Sequence, residues 1–245
     1  KNSFIFESVE KGKIRGRYTI IGFNPDKIFN IRKNKIVEDN FYKKKVIKKD
    51  VLRYLNDLLK NFKVKASKQL PRMSSMLVGY FSYDIIRLIE KIPNKCNEDI
   101  NIPDIRLIRP KNLVIYDNIK RKIFFIENIF SDQKISDYQL EYEKIKNTLN
   151  ELRHYGNIPL PSNFYKSNKK IDVKSNITKS RFKKIVRKAK SYIKKGDIFQ
   201  VVLSQRFKAK IDRPPLEIYN TLRKLNPSPF MFYFNYDDFQ VLGSS

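Results

Sequence analysis

The sequence predicts an α+β fold of antiparallel β-sheets with flanking helices. Segments with the two-residue period of strands and segments with the 3.6-residue period of helices follow one another irregularly. Several pairs of strand segments are separated only by a short polar turn, as in β-hairpins. The 245 residues are 41% hydrophobic and 13% aromatic, enough to bury a core. A doubly wound fold would require a regular alternation of strands and helices, so the irregular order favours the α+β class.

The first 38 residues predict strands only. FIFESVE, residues 4–10, is a short strand, and GRYTIIGFNP, residues 16–25, is a second strand that the Asn-Pro pair is expected to end. DKIFNIRKNKIVE, residues 26–38, is a hairpin with its polar turn near Lys33 and Asn34.

Residues 49–103 predict a helix, then a strand that becomes a helix, then a loop. KDVLRYLNDLLKNF, residues 49–62, has its apolar residues on one helix face and Asp50 as its N-cap. LVGYFSYDIIRLIEKIP, residues 77–93, begins as a strand and continues as a short helix that Pro93 stops. The polar residues 94–103 are a loop.

Residues 112–176 predict a hairpin, a helix and a linker. NLVIYDNIKRKIFFIENI, residues 112–129, contains two strands joined around Asn118. The helix that follows, QLEYEKIKNTLNELRHY, ends at Gly156, a typical C-cap residue. Residues 157–176 are rich in Pro, Ser and Asn without periodicity and are interpreted as a linker or mobile loop.

The last 70 residues predict a helix, a strand, a second helix and a hairpin. The helix of residues 178–195 has a Thr178 or Ser180 cap and Gly196 just beyond it. GDIFQVVLSQRF, residues 196–207, alternates as a strand, and residues 213–225 form a short helix with proline in its first turn. Residues 230–245 form a hairpin that turns around 235–238.

Composition excludes several function classes. Cys96 is the single cysteine, so an internal disulfide is excluded and a cytoplasmic location is expected. With His154 as the single histidine, neither the usual zinc ligands nor an oriented Ser-His-Asp triad can be assembled. No apolar run approaches the ~18 residues of a membrane span, so no membrane partner is expected. The chain begins without Met, which suggests that residues precede it.

The formal net charge of +27 raises the question of nucleic-acid binding. The basic residues are spread from Lys1 to Arg223, and Lys far outnumbers Arg. Readers of DNA bases prefer Arg or amides in a cluster, and no such cluster stands out. We therefore interpret the charge as compositional and expect no nucleic-acid partner, while a basic nucleic-acid-binding module stays the non-enzyme alternative.

An uncharged amide interrupts the predicted strand of residues 196–207. Gln200 shares one face with Ile198, Val202, Ser204 and Arg206. A buried amide without hydrogen bonds costs about 1–3 kcal/mol, so Gln200 either pairs with neighbouring backbone or faces a polar ligand. The residues alone favour the structural role, because protein groups satisfy most buried polar side chains.

Four motifs in order carry a resemblance to a known family. They are ESVEKGKIRGRYTIIGFNP, LVGYFSYDIIRLIEKIP, KKGDIFQVVLSQRF and LNPSPFMFYFNYDDFQVLGSS, spread from residue 7 to 245. Each motif alone is weak, but the four together resemble component I of anthranilate synthase, within the chorismate-utilising enzymes. The match extends from Phe4 to Ser245.

The resemblance implies an activity, a cofactor and partners. Enzymes of this kind convert chorismate and ammonia to anthranilate and pyruvate in tryptophan biosynthesis, with Mg²⁺. A glutamine amidotransferase subunit, component II, supplies the ammonia from glutamine, and tryptophan inhibits by feedback. The complete assembly is expected to be a heterotetramer.

The resemblance also implies a domain division and an incomplete catalytic centre. Residues 1–156 correspond to the N-terminal domain, 157–176 to the linker and 177–245 to the start of the chorismate-binding domain. In the family, the Mg²⁺-binding carboxylates and a catalytic histidine follow the motif that ends here at Ser245. We therefore expect the fold to be incomplete at its C-terminus, with an exposed strand edge, and residues 1–245 alone to be inactive.

Site residues follow from the resemblance one position at a time. Gln200 matches the position where water-using relatives, the isochorismate synthases, hold a lysine as general base. A neutral amide cannot activate water, which leaves ammonia as the nucleophile. Ser244 and Ser245 match a loop whose continuation lies at the substrate. The tryptophan feedback site is matched by Glu7, Ser8, Asn226, Pro227, Ser228, Pro229, Phe230, Met231 and Phe232.

The chemistry of those nine residues suits an amino acid. A carboxylate can accept hydrogen bonds from its ammonium group, a Ser hydroxyl can add another, and Pro, Met and Phe can enclose an indole. The segments taken separately are also typical of a strand edge and a tight turn. Val9 stands where the family often has a second serine, Phe230 where it usually has a tyrosine, and Ser82 where it usually has a glycine.

The nearest enzyme alternative is component I of aminodeoxychorismate synthase, in the folate branch. It shares Gln200, the strand around it and much of the fold. The combination of ESVE, GRYTIIG and NPSPFMF favours the anthranilate branch. Arg17 and Tyr18, in the GRY motif, are expected to pack rather than to contact a ligand.

Overall fold

The computed structural model describes residues 2–9, 16–62, 64, 67–95, 98–130, 132, 138–154 and 171–245. Its strands are β1 Ser3–Glu7, β2 Tyr18–Arg32, β3 Lys35–Asp39, β4 Lys44–Ile47, β5 Val78–Phe81, β6 Ile105–Asp117, β7 Lys122–Glu127, β8 Val173–Ser175, β9 Phe207–Ala209, β10 Met231–Asn235 and β11 Gln240–Ser244. Its α-helices are α1 Val51–Asn61, α2 Tyr138–His154, α3 Lys179–Lys195 and α4 Pro215–Leu225, and a 3₁₀-helix spans Tyr83–Leu88. No helix in these ranges is long and apolar enough to cross a membrane.

Antiparallel pairing joins nine of the strands into one sheet, which confirms the predicted α+β class. The order β11-β10-β1-β2-β3-β4 forms its main path. Strand β6 pairs with the edge of β2 that faces away from β1 and β3. The opposite edge of β6 pairs first with β5 and, further along the strand, with β7. The first and last strands along the chain thus lie in the same sheet, since β1 pairs with β10.

The predicted hairpins are confirmed at β2–β3, β6–β7 and β10–β11. The turn between β2 and β3 consists of Lys33 and Asn34, both with positive φ (46° and 64°), the combination of a type I′ turn. That turn follows the right-handed twist of the strands, which explains why two residues suffice.

The helix caps also agree with the sequence. The Asp50 side chain accepts a hydrogen bond from the Arg53 N–H at the start of α1, and Thr178 accepts one from Arg181 at the start of α3. Gly196 ends α3 with a φ of 76°, the left-handed conformation that favours glycine. The predicted end of α2 at Gly156 lies outside the described residues.

Three predictions about strands are wrong. Strand β2 continues through Asn24 and Pro25, with a register irregularity between Pro25 and Lys27 that accommodates the proline. The predicted linker contains β8, which pairs with β9. The predicted strand of residues 196–207 is irregular up to Arg206, and only Phe207 belongs to a strand, β9.

The chain divides into two compact units, Lys1–Asn157 with Pro215–Ser245, and Ile158–Pro214. The first unit contains the nine-stranded sheet and α4, and the second contains α3 with the β8–β9 pair. Spatial compactness groups the last hairpin with the N-terminal strands. The predicted division at 157–176 concerns domains of the family and stays a prediction.

The core of the first unit lies against the sheet. Phe4, Ile108, Leu113 and Ile115 are fully buried in one cluster with Phe234. Rings of β1 and β10 pack against each other in it, with the Phe6 and Phe234 centroids 5.4 Å apart in an edge-to-face arrangement. This packing fixes β1 against β10 and so positions the residues that follow them.

Candidate functional site

The pairing of β1 with β10 brings together two segments that are more than 200 residues apart. In the strand register Glu7 lies opposite Met231, and Phe6 lies opposite Phe232. Beyond the paired residues, the Val9 N–H donates a 2.8 Å hydrogen bond to the Ser228 carbonyl. The end of the first strand is therefore held against the turn that precedes β10.

A cavity of about 700 Å³ opens at this junction. Its size lies in the range of small-molecule sites. Its wall consists mainly of apolar side chains from several strands, with a few polar groups. The lining residues are Phe6, Glu7, Ser8, Tyr18, Gly79, Tyr80, Ser82, Ile102, Pro229, Phe230, Met231, Phe232, Phe234 and Val241.

Glu7 is the acidic residue of the cavity wall, and helix α4 holds its carboxylate. The Tyr219 hydroxyl donates a 2.7 Å hydrogen bond to Oε2 of Glu7, and the Arg223 Nε lies 3.0 Å from the same oxygen. Tyr219 and Arg223 are four residues apart, so both project from one face of α4. The second carboxylate oxygen, Oε1, has no donor among the described residues.

The environment of Tyr219 keeps its hydroxyl protonated. Burial, and next the hydrogen bond to Glu7, raise the pKa of Tyr219 well above its usual value. The phenol therefore acts as a permanent donor to the carboxylate. The oxygens of the Glu7 side chain lie at an apolar cavity, where they can accept hydrogen bonds from an ammonium group.

The apolar wall is formed by chain segments that pack closely. The Phe232 and Phe234 ring centroids are 6.0 Å apart, and Gly243 on β11 leaves room for the Phe232 ring, since a Cβ there would overlap it. Gly79 on β5 similarly permits close approach to the backbone of Arg106 on β6. Flat aromatic and apolar groups around one acidic group suit a ligand that has an apolar body and a cationic end.

Comparison with known proteins places the chain in a family. A family model described as chorismate binding enzyme matches residues 1–245. The chain belongs to the chorismate-binding enzyme family.

Two curated relatives of this family member carry the same name. The chain is 35% identical over 247 residues to anthranilate synthase component 1 of Acetivibrio thermocellus, and the match covers 99% of this chain and 50% of the relative. Anthranilate synthase component 1 of Aquifex aeolicus is 37% identical over 253 residues, covering 99% of this chain and 49% of the relative. The chain thus spans about half the length of the curated relatives it matches.

A crystal structure of anthranilate synthase component I from Streptococcus pneumoniae TIGR4 has a similar fold. The TM-score is 0.76 at 28% sequence identity, over 97% of this chain and 52% of that chain. The similarity therefore includes nearly all of the chain, and the resemblance inferred from the four motifs is confirmed at the level of family and fold.

The structure brings most of the residues matched to a feedback site into the cavity of this chorismate-binding family member. Glu7 at the end of β1 and Ser8 just after it line the cavity, and β10 with the preceding turn contributes Pro229, Phe230, Met231 and Phe232. Three matched residues lie outside the lining: Asn226, Pro227 and Ser228. Ser228 supports the site through its carbonyl, which accepts the hydrogen bond from Val9.

Ser244 and Ser245 lie at the end of β11, outside the cavity lining. The Ser244 hydroxyl donates a 2.6 Å hydrogen bond to the Asn226 carbonyl, and the Ser245 N–H donates one of 3.2 Å to the Phe230 carbonyl. Both contacts fix the turn before β10. A contact of either serine with substrate stays a prediction.

Gln200 belongs to the second compact unit and is exposed. Its neighbours Phe199 and Val202 are 98% and 83% exposed, so the segment has no buried face. The argument that assigned Gln200 a structural role assumed a buried strand, and that assumption is wrong. The catalytic role that the resemblance gives it stays a prediction.

Several functional residues were not identified from the sequence. Tyr18, Tyr80, Ser82 and Val241 line the cavity, and Tyr219 and Arg223 hold Glu7. The sequence predicts that Tyr18 packs rather than contacts a ligand, yet Tyr18 lines the cavity. The GRY and GYFSYD motifs are the sequence features that contain Tyr18, Tyr80 and Ser82. No local sequence motif marks Tyr219 and Arg223 as contacts of Glu7.

Arg17, by contrast, has a structural contact. Its guanidinium lies 3.0 Å from Asp117, which also accepts hydrogen bonds from the N–H groups of Ile119 and Lys120 in the β6–β7 turn. The packing role predicted for Arg17 agrees with this ion pair.

The Mg²⁺ that the resemblance implies does not fit the residues described here. No group of three or more His, Cys, Asp or Glu in the described ranges could hold a metal ion. No step of the chemistry is therefore assigned to a metal bound by these residues.

Proposed function

We propose that residues 1–245 are part of an anthranilate synthase component I. In the complete enzyme, a carbon–oxygen lyase of tryptophan biosynthesis, chorismate and ammonia would give anthranilate and pyruvate in the presence of Mg²⁺. A glutamine amidotransferase subunit would supply the ammonia. The family membership, and the name carried by relatives at 35% and 37% identity, support the proposal.

The cavity at the β1–β10 junction would be the regulatory site for tryptophan. One observation carries this part of the proposal: Glu7 and Ser8 share a cavity of about 700 Å³ with the segment from Pro229 to Phe232. Glu7 would accept hydrogen bonds from the ligand ammonium, and the Ser8 hydroxyl would add a further one. The phenylalanine, methionine and proline side chains would cover the indole.

Gln200 would act in the catalytic domain of the complete enzyme. A carboxamide has no proton affinity near neutral pH, so it cannot be the general base that turns water into a nucleophile. Ammonia needs no such base. The residue therefore supports amine transfer to chorismate rather than hydration.

A chimera tests the activity. Residues 1–245 would replace the matched half of Aquifex aeolicus component 1, and the purified chimera would receive chorismate, ammonium and Mg²⁺. We expect anthranilate, detected by its fluorescence, and a large loss of ammonium-dependent product in a Gln200→Lys chimera. Residues 1–245 alone are expected to form none.

The same assay separates the folate-branch alternative. A chimera that melts cooperatively and yields aminodeoxychorismate would contradict the anthranilate assignment. A chimera that melts cooperatively but consumes no chorismate would contradict both assignments for this segment.

A further inference from the structure

A second cavity, the hairpin cavity, has a volume of about 340 Å³ and lies on one face of the β2–β3 hairpin. The loop before β6 and the turn between β10 and β11 complete its wall. It adjoins the larger cavity, since Ile102 lines both, but its character is different because charged side chains dominate its wall. The basic ones are Arg32, Lys35, Lys44 and Arg106, and the acidic ones are Asp39 and Asp238.

Both acidic side chains of the hairpin cavity are already paired. The two Asp238 oxygens accept hydrogen bonds from the Arg106 guanidinium. The Asp39 carboxylate accepts a 2.9 Å hydrogen bond from the Phe41 N–H and lies 3.5 Å from Nζ of Lys44. These contacts balance two basic groups against two acidic ones, so the other two basic side chains carry the excess positive charge.

Those two side chains, Arg32 and Lys35, have no acidic partner among the described residues. They flank the turn of the hairpin and lie directly opposite each other in the strand register, so both project from the same face. The Arg32 guanidinium donates a hydrogen bond to the side-chain oxygen of Asn101, which is a neutral group. Like charges in opposite positions of a sheet are destabilising, so an anion bound between them would stabilise the hairpin.

Two amide side chains of the same wall add donors rather than acceptors. Asn30 accepts a 2.6 Å hydrogen bond from Arg106 through its oxygen, and Asn101 accepts one from Arg32 in the same way. A guanidinium can only donate, so each amide keeps its NH₂ group, which has no acceptor among the described residues. Asn30 and Arg32 lie on the same face of β2, two residues or about 6.8 Å apart, within reach of one small ligand.

We propose that the hairpin cavity binds the phosphate group of a small ligand. Arg32 and Lys35 supply the positive charge, and the NH₂ groups of Asn30 and Asn101 supply further donors. A tetrahedral phosphate has oxygens on every side for donors from several segments, whereas a carboxylate has two oxygens in one plane. Inorganic phosphate and a phosphomonoester both carry this chemistry. None of these four residues takes part in the function proposed above.

Isothermal titration calorimetry of residues 1–245 at constant ionic strength tests the site. The ligands are inorganic phosphate, glycerol 3-phosphate and, as a carboxylate, malonate. Lys35→Gln removes an exposed cation that has no acidic partner among the described residues. Asn30→Asp replaces the NH₂ group by an oxygen and keeps an acceptor for Arg106, so both variants are expected to fold.

Lys45→Gln is the matched control. Lys45 is exposed and lies on the adjacent strand β4, but it does not line the hairpin cavity. Each of the three substitutions lowers the net charge by one, so a general effect of charge would change all three affinities alike. A thermal melt of each variant verifies that it is folded.

We expect wild type to bind both phosphate ligands saturably at one site at millimolar concentration, and malonate more weakly. Lys35→Gln should weaken phosphate binding about tenfold, through the loss of a charge-assisted hydrogen bond. Asn30→Asp should weaken it further, because a carboxylate repels the anion, and Lys45→Gln should bind as wild type does. Tighter binding of the ester would assign the site to a phosphorylated metabolite, and equal affinities would assign it to free phosphate.

Four results would overturn the phosphate site, and none of them bears on the larger cavity. They are the absence of saturable phosphate binding at millimolar concentration, wild-type affinity in folded Lys35→Gln and Asn30→Asp, equal weakening in all three variants, and tighter binding of malonate than of phosphate. Equal weakening would show that the net charge of the chain attracts the anion, and tighter malonate binding would show that the cavity selects a carboxylate.

Discussion

The Tyr219 hydroxyl donates a 2.7 Å hydrogen bond to the Glu7 carboxylate, across 212 positions of the chain. Tyr219 is 1% exposed, and Arg223 on the next turn of α4 contacts the same oxygen at 3.0 Å. The acidic group of the cavity is therefore oriented by a helix close to the other end of the chain.

Tyr219→Phe should destabilise the protein, because it removes a buried hydrogen bond to a charged group. We expect the free energy of unfolding in urea to fall by about 1–3 kcal/mol. Tyr83→Phe is the control, since Tyr83 is 83% exposed and should change stability by less than about 0.5 kcal/mol. Equal stability of the two variants would contradict the buried Tyr219–Glu7 contact.

Asp117 should contribute stability that depends on pH. The hydrogen bond from Arg17, then those from the Lys120 and Ile119 N–H groups, hold the pKa of Asp117 below its usual value. A carboxyl group whose pKa is lower in the folded than in the unfolded chain stabilises the fold. This stabilisation is complete above the unfolded pKa of about 3.9 and is lost as the pH falls through the folded pKa.

Asp117→Asn should therefore be less stable than wild type at pH 7, and the difference should shrink below about pH 4. Chemical unfolding at pH 7 and pH 3 measures it. Asp172→Asn, at a site 82% exposed, should match wild type at both values. A stability difference for Asp117→Asn that is unchanged between the two pH values would refute the ionic contribution.

The ion pairs of Arg109 should differ in strength according to their exposure. Its guanidinium stacks 4.0 Å over the Phe130 ring and contacts Asp26, which is 13% exposed, and Asp132, which is 41% exposed. Asp26→Asn leaves a buried cation poorly compensated and should cost about 3 kcal/mol. Asp132→Asn should cost less than about 1 kcal/mol. Urea unfolding of the two variants compares these values, and a larger loss for Asp132→Asn would contradict the account.

Gly243→Ala should reduce ligand binding more than stability. A Cβ at this position overlaps the end of the Phe232 ring, which can rotate, and that ring lines the cavity. We expect tryptophan affinity to fall about tenfold, the equivalent of 1.4 kcal/mol, as the ring moves into the ligand volume. Isothermal titration calorimetry measures the loss. Unchanged affinity would show that Phe232 does not border the ligand.

Sequence patterns predicted the elements whose signals are local. The cap residues Asp50 and Thr178 and the turn at Lys33 act within a few positions, so the sequence suffices to place them. Residues 196–207 were predicted as a strand because they alternate. A strand also needs a partner, and Phe207 is the only residue of this segment that pairs with a strand among the described residues.

The site depends on contacts that local patterns do not contain. Pro25 usually ends a strand, yet β2 continues past it because the long partner β6 supplies pairing on both sides of the irregularity. Only the family resemblance predicted that Glu7 lies near Phe232. Their proximity follows from the β1–β10 register, which no local pattern contains. The contacts of Tyr219, Arg223 and Ser82 became visible only in the folded chain.

The most direct test of the regulatory role that we propose for the cavity is a titration of residues 1–245 with L-tryptophan, followed by the emission of the ligand. We expect saturable binding at a single site for wild type and at least tenfold weaker binding for Glu7→Gln, which removes the charge that holds the ammonium group. Glu38→Gln, outside the cavity, is the control and should bind as wild type does. No binding at millimolar tryptophan, or equal affinity of wild type and Glu7→Gln, would contradict the account.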